Sequence, residues 1–308
     1  MRQIAYNSFL FGKVVSVMSP ASEDYLYRFL FEEFGVRGEF VRLDASWKAV
    51  QERHDYPSWV KLALGHTLTA VTLLSGTIKF KGSLTLQLKS ESDIQALIAQ
   101  ATEQRTIRGM AQFVETPQAN PDDMVGLLGD ARLILTTEAP NGERYQGIVA
   151  VEGGDVVKSV EQYFEQSEQL PTRLWMAGND DAFAGLFLQR LPQSEIEDEN
   201  WSRVCMLADT IKDEELLTLD VETLLHRLFH EESLRLFDPE PVAFRCSCSR
   251  ERVANTLVSL GEGEVTQILE ELGSISVDCE FCNANYRFDA IDAAALFKEA
   301  ESAPPKVQ

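Results

Sequence analysis

The sequence predicts an α+β protein in three parts: an N-terminal sheet-and-helix core domain, a helical linker and a small C-terminal four-cysteine domain. Up to about Leu191, short alternating patterns typical of strands mix with longer helical patterns. A stretch with an acidic start and helical patterns follows, and four of the five cysteines then fall in the last quarter of the chain. We therefore expect a core domain at 1–191, a linker at 192–240 and a C-terminal domain at 241–308.

The first half of the core domain carries clear local signals. The stretch "VRGEFVRL" (36–43) alternates apolar and polar residues, as a half-buried strand does. Asp44 follows it and is a plausible N-cap for the next helix. Pro57 then stands at the start of a long apolar helical pattern that ends near Gly76.

The second half of the core domain contains further strand patterns, at 82–90, 130–138 and 143–152. The turn sequence "APNG" joins the last two, which predicts a hairpin. An amphipathic helix is expected at 155–169, before Pro171. Together these patterns predict one predominantly antiparallel sheet.

The linker has helical patterns between residues 192 and 237, and its apolar positions form a stripe too small to be a core of its own. These positions are Leu216, Leu217, Leu219, Leu224, Leu225, Leu228 and Phe229. We expect the linker to lie against the core domain, so that its order depends on its neighbours.

The last domain is too small for a robust core and needs a further constraint. The stretches "RCSCSRERV" and "DCEFCNANYRF" provide Cys246, Cys248, Cys279 and Cys282, at the spacings C-x-C and C-x-x-C. Two such pairs separated by a short helical insert resemble a zinc site built from two loops. Four thiolates complete a tetrahedral zinc ion, so the site would be structural. Permanent disulfides and an iron–sulfur cluster are the alternatives, although the spacing fits none of the usual cluster motifs.

The one-residue gap also suggests redox chemistry. A disulfide between Cys246 and Cys248 would close a strained ring around Ser247, and strained disulfides are labile. Cys279 and Cys282 can pair more easily.

Three arginines flank the first pair: Arg245, Arg250 and Arg252. Their charge would favour the thiolate form that oxidants attack, although they could equally serve only to solvate the surface. A structural zinc contributes roughly 10–16 kcal/mol to the folding of a small module, whereas whole domains are stable by about 5–15 kcal/mol. Oxidation of the ligands would eject the metal, unfold the module and expose apolar surface of the linker and core domain.

The charge and the absence of targeting signals limit the binding partners and the cellular location that we expect. The net charge of −21, from 28 basic and 49 acidic residues, disfavours binding to nucleic acid and to anionic membranes. The apolar stretch 9–18 is too short to span a membrane, contains Lys13 and lacks a signal-peptide cleavage site. We expect residues 1–17 to be an extension, or to precede a true start at Met18. A cytoplasmic, reducing location follows, where clustered cysteines indicate metal or redox chemistry.

Other candidate sites are weaker. His226 and His230 are one helical turn apart, but no third ligand accompanies them and linker surface is the favoured interpretation. His54 in "RHDYP" is expected to fix a turn. Cys205 is expected to be a small buried residue, with a third redox contact as the alternative. No phosphate-binding glycine loop and no credible nucleophile–base pair occur, so we do not predict an enzyme.

Over nearly the whole chain after Met18, the sequence resembles the heat shock protein 33 family of redox-regulated chaperonins. The supporting stretches include "YLYRFLFEEFGVRGEFVRL", "IKFKGSLTLQL", "YFEQSEQLPTRLW", "CSCSRERV" and "CEFCNANYRF". The cysteine arrangement is the specific part, whereas Asn283 stands where a glycine is common.

The resemblance implies an ATP-independent holdase that binds unfolding proteins and forms a homodimer when active. In the reduced, inactive state all four cysteines would bind one zinc ion. In the active state Cys246 would pair with Cys248 and Cys279 with Cys282, and the linker would unfold. The rival interpretations are a zinc-ribbon-like binding module and a thiol–disulfide oxidoreductase that uses Cys279 and Cys282.

Overall fold

The computed structural model describes residues 24–33, 35–192 and 198–302, with only the backbone at residue 198 and at residues 299–302. The expectation about residues 1–17 lies outside these ranges. The chain divides into two compact units, Met1–Arg245 and Cys246–Gln308.

The first unit is built on an eleven-stranded sheet with the order β7-β6-β3-β4-β5-β11-β1-β2-β9-β8, and β10 pairs with β1. Its strands are β1 (Asp24–Phe31), β2 (Val36–Leu43), β3 (Ser83–Lys89), β4 (Ile94–Thr102), β5 (Thr106–Phe113), β6 (Arg132–Glu138), β7 (Arg144–Ala150), β8 (Thr172–Gly178), β9 (Phe183–Arg190), β10 (Leu234–Leu236) and β11 (Glu240–Phe244). Among these strands the pairing of β11 with β5 is parallel and the other pairings are antiparallel. The predicted α+β class and antiparallel sheet are therefore confirmed.

The helices of the first unit are α1 (Ala45–Gln51), α2 (Ser58–Thr77), α3 (Met124–Leu128), α4 (Val156–Tyr163), α5 (Asp198–Ala208), α6 (Asp213–Thr218) and α7 (Val221–Phe229). The long helix α2 begins after Pro57, as predicted, and is buried on nearly all sides. Its buried threonines satisfy their hydroxyls within the helix, because Thr67, Thr69 and Thr72 each donate to the carbonyl four residues earlier. Polar residues can therefore lie inside this core at little cost.

The local predictions for the core domain agree with the structure. Strand β2 has the predicted bounds, and strands β3, β6 and β7 lie within the three predicted ranges. Strands β6 and β7 form the expected hairpin. The predicted helix at 155–169 is α4 followed by a π-helical turn, Phe164–Glu168.

The start of α1 differs from its prediction. Asp44 occupies the N-cap position, but its side chain makes no capping hydrogen bond. The carboxylate of Asp24, at the start of β1, instead accepts from the backbone N–H groups of Asp44, Ala45 and Ser46 at 2.8, 3.1 and 2.8 Å. The pairing of β1 with β2 brings Asp24, twenty residues before Asp44, to the N-terminal end of α1.

The linker segment forms the three helices α5, α6 and α7, whose apolar side chains pack on the sheet. The buried residues of this cluster are, from the sheet, Phe29, Phe31, Val36, Phe40, Ala177, Ala184, Leu186 and Leu188, and, from the helices, Val204, Ala208, Leu216, Val221, Leu224, Leu225, Leu228 and Phe229. The predicted helical pattern is wrong at its end, where Leu234–Leu236 forms β10 and pairs with Phe29–Phe31 of β1.

The division between the two units falls after Arg245, later than the boundary expected at 240/241. The physical reason is β11, which pairs with both β1 and β5 and so belongs to the sheet of the first unit. The backbone N–H of Arg245 extends this pairing by donating to the carbonyl of Ile107 at 2.9 Å.

The second unit contains α8 (Arg250–Leu260), α9 (Glu262–Leu272), a hairpin of β12 (Ile275–Asp278) and β13 (Asn285–Phe288), and α10 (Ala290–Ser302). Among its described residues, the buried apolar cluster consists of Ala254, Leu257, Val265, Ile275, Phe288 and Ala293. A core of this size contributes little stability, which agrees with the expectation that the unit needs a further constraint.

Candidate metal centre

The first cysteine pair lies in the short stretch between β11 and α8. Cys246 and Cys248 precede Ser249, whose hydroxyl accepts from the backbone N–H of Arg252 at 3.2 Å and caps α8. Because the N-cap residue of α8 directly follows Cys248, the capped N-terminus of this helix helps to fix the position of the Cys248 sulfur. Both cysteines are partly exposed.

The second pair lies in the turn of the β12–β13 hairpin. The N–H of Cys279 donates to the carbonyl of Ala284 at 3.0 Å, and the N–H groups of Cys282 and Asn283 donate back to the carbonyl of Cys279 at 3.2 and 2.7 Å. Asn283 has a left-handed backbone with φ of 57°, which asparagine tolerates better than most residues. The replacement of the common glycine is therefore compatible with the turn.

The structure brings the four predicted sulfurs together. Their Sγ atoms all lie within 4.8 Å of one another, and the Cys246–Cys279 and Cys248–Cys282 contacts are 3.7 and 3.3 Å. Four thiolates at about 2.3 Å from a zinc ion stand about 3.8 Å apart in a tetrahedron. No disulfide bond joins these cysteines, since both separations are far above the length of an S–S bond. The donor set fits one tetrahedral metal ion that prefers sulfur.

The electrostatics of the cluster also favour a cation. Burial raises the pKa of the Cys279 thiol, and burial together with the neighbouring sulfurs raises the pKa of Cys282 to about 12. Cys279 and Cys282 therefore lose their protons near neutral pH only if a cation offsets the thiolate charge.

Neighbouring side chains fix the two loops. The hydroxyl of Tyr286, on β13, lies 3.1 Å from the Sγ of Cys248. Arg252 donates to the hydroxyl of Ser247 at 2.6 Å, so it steadies the loop between the first two cysteines. The sequence interpretation missed Tyr286; the only sequence signal was its position shortly after Cys282 on the strand that leaves the turn.

Arg250, which sequence reasoning placed near the thiols, has structural contacts of its own. Its guanidinium pairs with Asp292 at 2.8 Å, donates to the carbonyl of Arg287 and lies 4.2 Å from the centre of the Phe288 ring. These contacts join α8 to the hairpin and to α10.

The weaker candidates stay outside this centre. Within residues 24–33, 35–192 and 198–302, the four cysteines are the only cluster of three or more potential metal ligands, so the His226–His230 pair, with rings 5.9 Å apart, has no third ligand. Cys205 is buried at 6% exposure, and burial raises the pKa of its thiol to about 12, as expected of a small apolar residue. His54 stacks on Tyr56 at 5.3 Å and its carbonyl accepts the N–H of that residue, consistent with a turn.

No helix in the described part of the chain is long and apolar enough to cross a membrane.

The chain therefore consists of a mostly antiparallel sheet unit and a small C-terminal module whose four clustered thiols could hold a metal ion. This chain belongs to the Hsp33 family, because the family model described as "Hsp33 protein" matches residues 24–289. The 33 kDa chaperonin of Nitrosococcus oceani is 49% identical over 284 residues, which cover 92% of this chain and 97% of that protein. The 33 kDa chaperonin of Pseudomonas aeruginosa is 46% identical over 288 residues, with the same coverage. These relatives support a chaperone function.

A solved structure has the same fold. The crystal structure of the 33 kDa chaperonin, an Hsp33 homologue, from Thermotoga maritima matches with a TM-score of 0.77 and covers 91% of this chain and 99% of that chain. Its sequence is 22% identical, so this likeness concerns the fold alone.

Proposed function

We propose that this protein is a redox-regulated, ATP-independent chaperone, a holdase that binds unfolding proteins and prevents their aggregation under oxidative stress. The observation that carries the proposal is the cluster of four Sγ atoms within 4.8 Å in a unit with a very small apolar core. It acts by binding clients, without catalytic turnover.

In the resting state, Cys246, Cys248, Cys279 and Cys282 would hold one zinc ion as thiolates. When bound, such an ion would play a structural role and offset the thiolate charge; structural zinc contributes roughly 10–16 kcal/mol to the folding of small zinc modules. The small core of the second unit makes its fold dependent on that contribution. A reducing cytoplasm suits this state, because the thiols there stay free.

In the active state two disulfides would form, Cys246 with Cys248 and Cys279 with Cys282. A peroxide takes two electrons from each pair, so that one S–S bond forms for each peroxide O–O bond that breaks. Once paired, the four sulfurs would no longer be available as thiolate ligands, so they would not retain a zinc ion. All four sulfurs lie within 4.8 Å, so this pairing is within reach, although the 3.7 and 3.3 Å contacts run between the two loops. Peptide mapping of the oxidised protein tests the pairing.

The client surface would come from the linker and the sheet. The segment that carries α5, α6 and α7 continues through β10 and β11 to Cys246, and both strands pair with the sheet. Undocking of the helices therefore requires that the loss of order in the second unit also releases β11 from the sheet. If the helices undock, the sixteen buried apolar residues of their cluster with the sheet become available to clients. The net charge of −21 keeps such a state dispersed, and we expect the active form to be a homodimer that binds neither nucleic acid nor membranes.

The deciding experiment follows zinc, thiols and client aggregation together. The protein is purified under reducing conditions, treated with peroxide at elevated temperature, and sampled for released zinc, free thiols and light scattering of a heat-denatured client. We expect suppression of scattering to rise with zinc release. A reduced, zinc-bound protein that suppresses scattering as well as the oxidised one would contradict the proposal. Turnover of a small dithiol substrate would instead favour a thiol–disulfide oxidoreductase.

A further inference from the structure

Tyr286 connects the hairpin of the second cysteine pair to a sulfur of the first pair. It lies on β13 opposite Val277, and its hydroxyl is 3.1 Å from the Sγ of Cys248. Its ring packs against the small core of the second unit, so the hydroxyl is held in place by the ring and by the strand. A solvent-exposed tyrosine would have no such fixed direction.

The direction of this hydrogen bond follows from the chemistry of the sulfur. A metal-bound thiolate has no proton and can only accept, so the phenolic O–H of Tyr286 is the donor. Hydrogen bonds to charged acceptors are stronger than neutral ones. The bond therefore draws electron density away from the lone pairs of the Cys248 sulfur.

We infer that Tyr286 is a positioning residue that restrains the oxidation of Cys248, and so sets how readily the centre responds to peroxide. The inference rests on the proposed function and concerns the regulation of the same centre. Donation by Tyr286 keeps the reduced centre intact at low oxidant, because it makes the Cys248 sulfur a poorer nucleophile toward the peroxide.

The restrained step is the attack of this sulfur on the oxidant. A lone pair of the Cys248 thiolate attacks one oxygen of hydrogen peroxide, the O–O bond breaks and hydroxide leaves, while the sulfur keeps the other O–H as a sulfenic acid. The resulting sulfenic acid is then attacked by a second cysteine thiolate, which forms the S–S bond and expels hydroxide. Two electrons pass from the two sulfurs to the peroxide. The hydrogen bond acts on the first attack, since it stabilises the lone pair that must be donated.

The test is Tyr286→Phe, which removes the hydroxyl and keeps the ring. With cobalt(II) in place of zinc, the sulfur-to-cobalt charge-transfer band is expected to shift to lower energy. The Cys248 thiolate loses its hydrogen bond from Tyr286, so its electrons are transferred to the metal more easily. With zinc bound, iodoacetamide is expected to label Cys248 roughly two- to tenfold faster relative to Cys282, read by mass spectrometry. Zinc release by peroxide should accelerate by a similar factor.

The matched control is Tyr145→Phe, which removes the hydroxyl of a tyrosine that is 54% exposed on β7. It should change neither the band nor the labelling ratio. If Tyr286→Phe takes up no metal, fluorotyrosine replaces tyrosine biosynthetically; as a stronger donor it is expected to shift the cobalt band to higher energy.

The outcomes separate the inference from the proposed function. An unchanged band and an unchanged Cys248 to Cys282 labelling ratio would overturn the role of Tyr286 even if oxidation still activates the protein. A wild-type protein that holds no zinc, or that suppresses aggregation without oxidation, would overturn the proposed function itself.

Discussion

The ring of Phe229, at the end of α7, packs edge-to-face on the ring of Phe31 in β1, with centroids 5.1 Å apart and planes at 79°. Both side chains are 1% exposed. Phe31 also meets Phe29 edge-to-face at 6.0 Å, so the last linker helix is anchored on an aromatic row of the sheet. This contact lies within the surface that we propose for clients.

Phe229→Ala should loosen the linker without touching the metal centre. Truncation of a buried phenylalanine costs about 3–5 kcal/mol, and here the loss falls on the docking of α7. We expect faster proteolysis between residues 198 and 236 and measurable suppression of client aggregation without oxidant, at unchanged zinc content. Met206→Ala, at a side chain on α5 that is 63% exposed, is the control. A Phe229→Ala protein with the proteolysis pattern of the wild type would contradict the proposed docking.

Cys279→Ser tests the ligand set directly. A serine hydroxyl is a poor zinc ligand at neutral pH, so we expect a marked drop in zinc affinity and partial unlocking of the linker without oxidant. Zinc content by elemental analysis and limited proteolysis give the two readouts. Cys205→Ala is the matched control, because that thiol is buried in α5 and lies outside the cluster. Equal zinc content in the wild type and Cys279→Ser would remove Cys279 from the ligands.

Features with local signals were predictable from the sequence. The alternation in β2, the proline before α2, the turn between β6 and β7 and the spacing of the cysteines each depend on residues that are close along the chain. The class of the fold and the four residues of the cluster followed from these signals.

Features that depend on distant pairing were not predictable. Strand β11 is short and belongs to the sheet only because β1 and β5 meet it from far away in the sequence. The contact of Tyr286 with Cys248 spans 38 residues and requires the two loops to meet. The capping of α1 by Asp24 likewise needs β1 and β2 to be paired first.

Substitution of Asp24 is expected to lower the free energy of unfolding more than substitution of Asp44, although Asp44 occupies the N-cap position of α1. Asp24→Ala removes the acceptor of three backbone N–H groups, so we expect a loss of about 1–2 kcal/mol in the free energy of unfolding. Asp44→Ala removes an exposed ion pair with Lys48 and should cost less than about 0.5 kcal/mol. Urea denaturation followed by tryptophan fluorescence measures both, since Trp47 lies in this helix. A larger loss for Asp44→Ala would restore the capping role that the sequence suggested.

Glu39 is expected to make the stability of the first unit depend on pH. Its carboxyl lies at the centre of β2 with 2% exposure, and burial raises its pKa to about 7 from its ordinary value of 4.5. A hydrogen bond with Thr77 and the charges of Arg37, Arg105 and Arg28 act in the opposite direction but are outweighed. The folded chain therefore holds a proton between pH 4.5 and 7 that the unfolded chain has released.

Because the folded chain holds this proton, its stability falls as the pH rises. The stabilisation that Glu39 provides is complete below pH 4.5 and is lost as the pH rises through about 7. The loss amounts to about 3 kcal/mol. Glu39→Gln is neutral at every pH, so we expect its stability relative to the wild type to rise by about that amount between pH 4.5 and 8. Taking the difference at each pH removes the contribution of the metal centre, which both proteins share.

Urea unfolding of both proteins at several pH values, followed by tryptophan fluorescence, gives this difference; all four tryptophans lie in the first unit. Glu165→Gln, at an exposed carboxylate, provides the baseline. Parallel stability curves for Glu39→Gln and the wild type would show that Glu39 is already ionised in the folded protein below neutral pH. In that case the charges of Arg28, Arg37 and Arg105, and not protonation, would compensate for the burial of the Glu39 carboxylate.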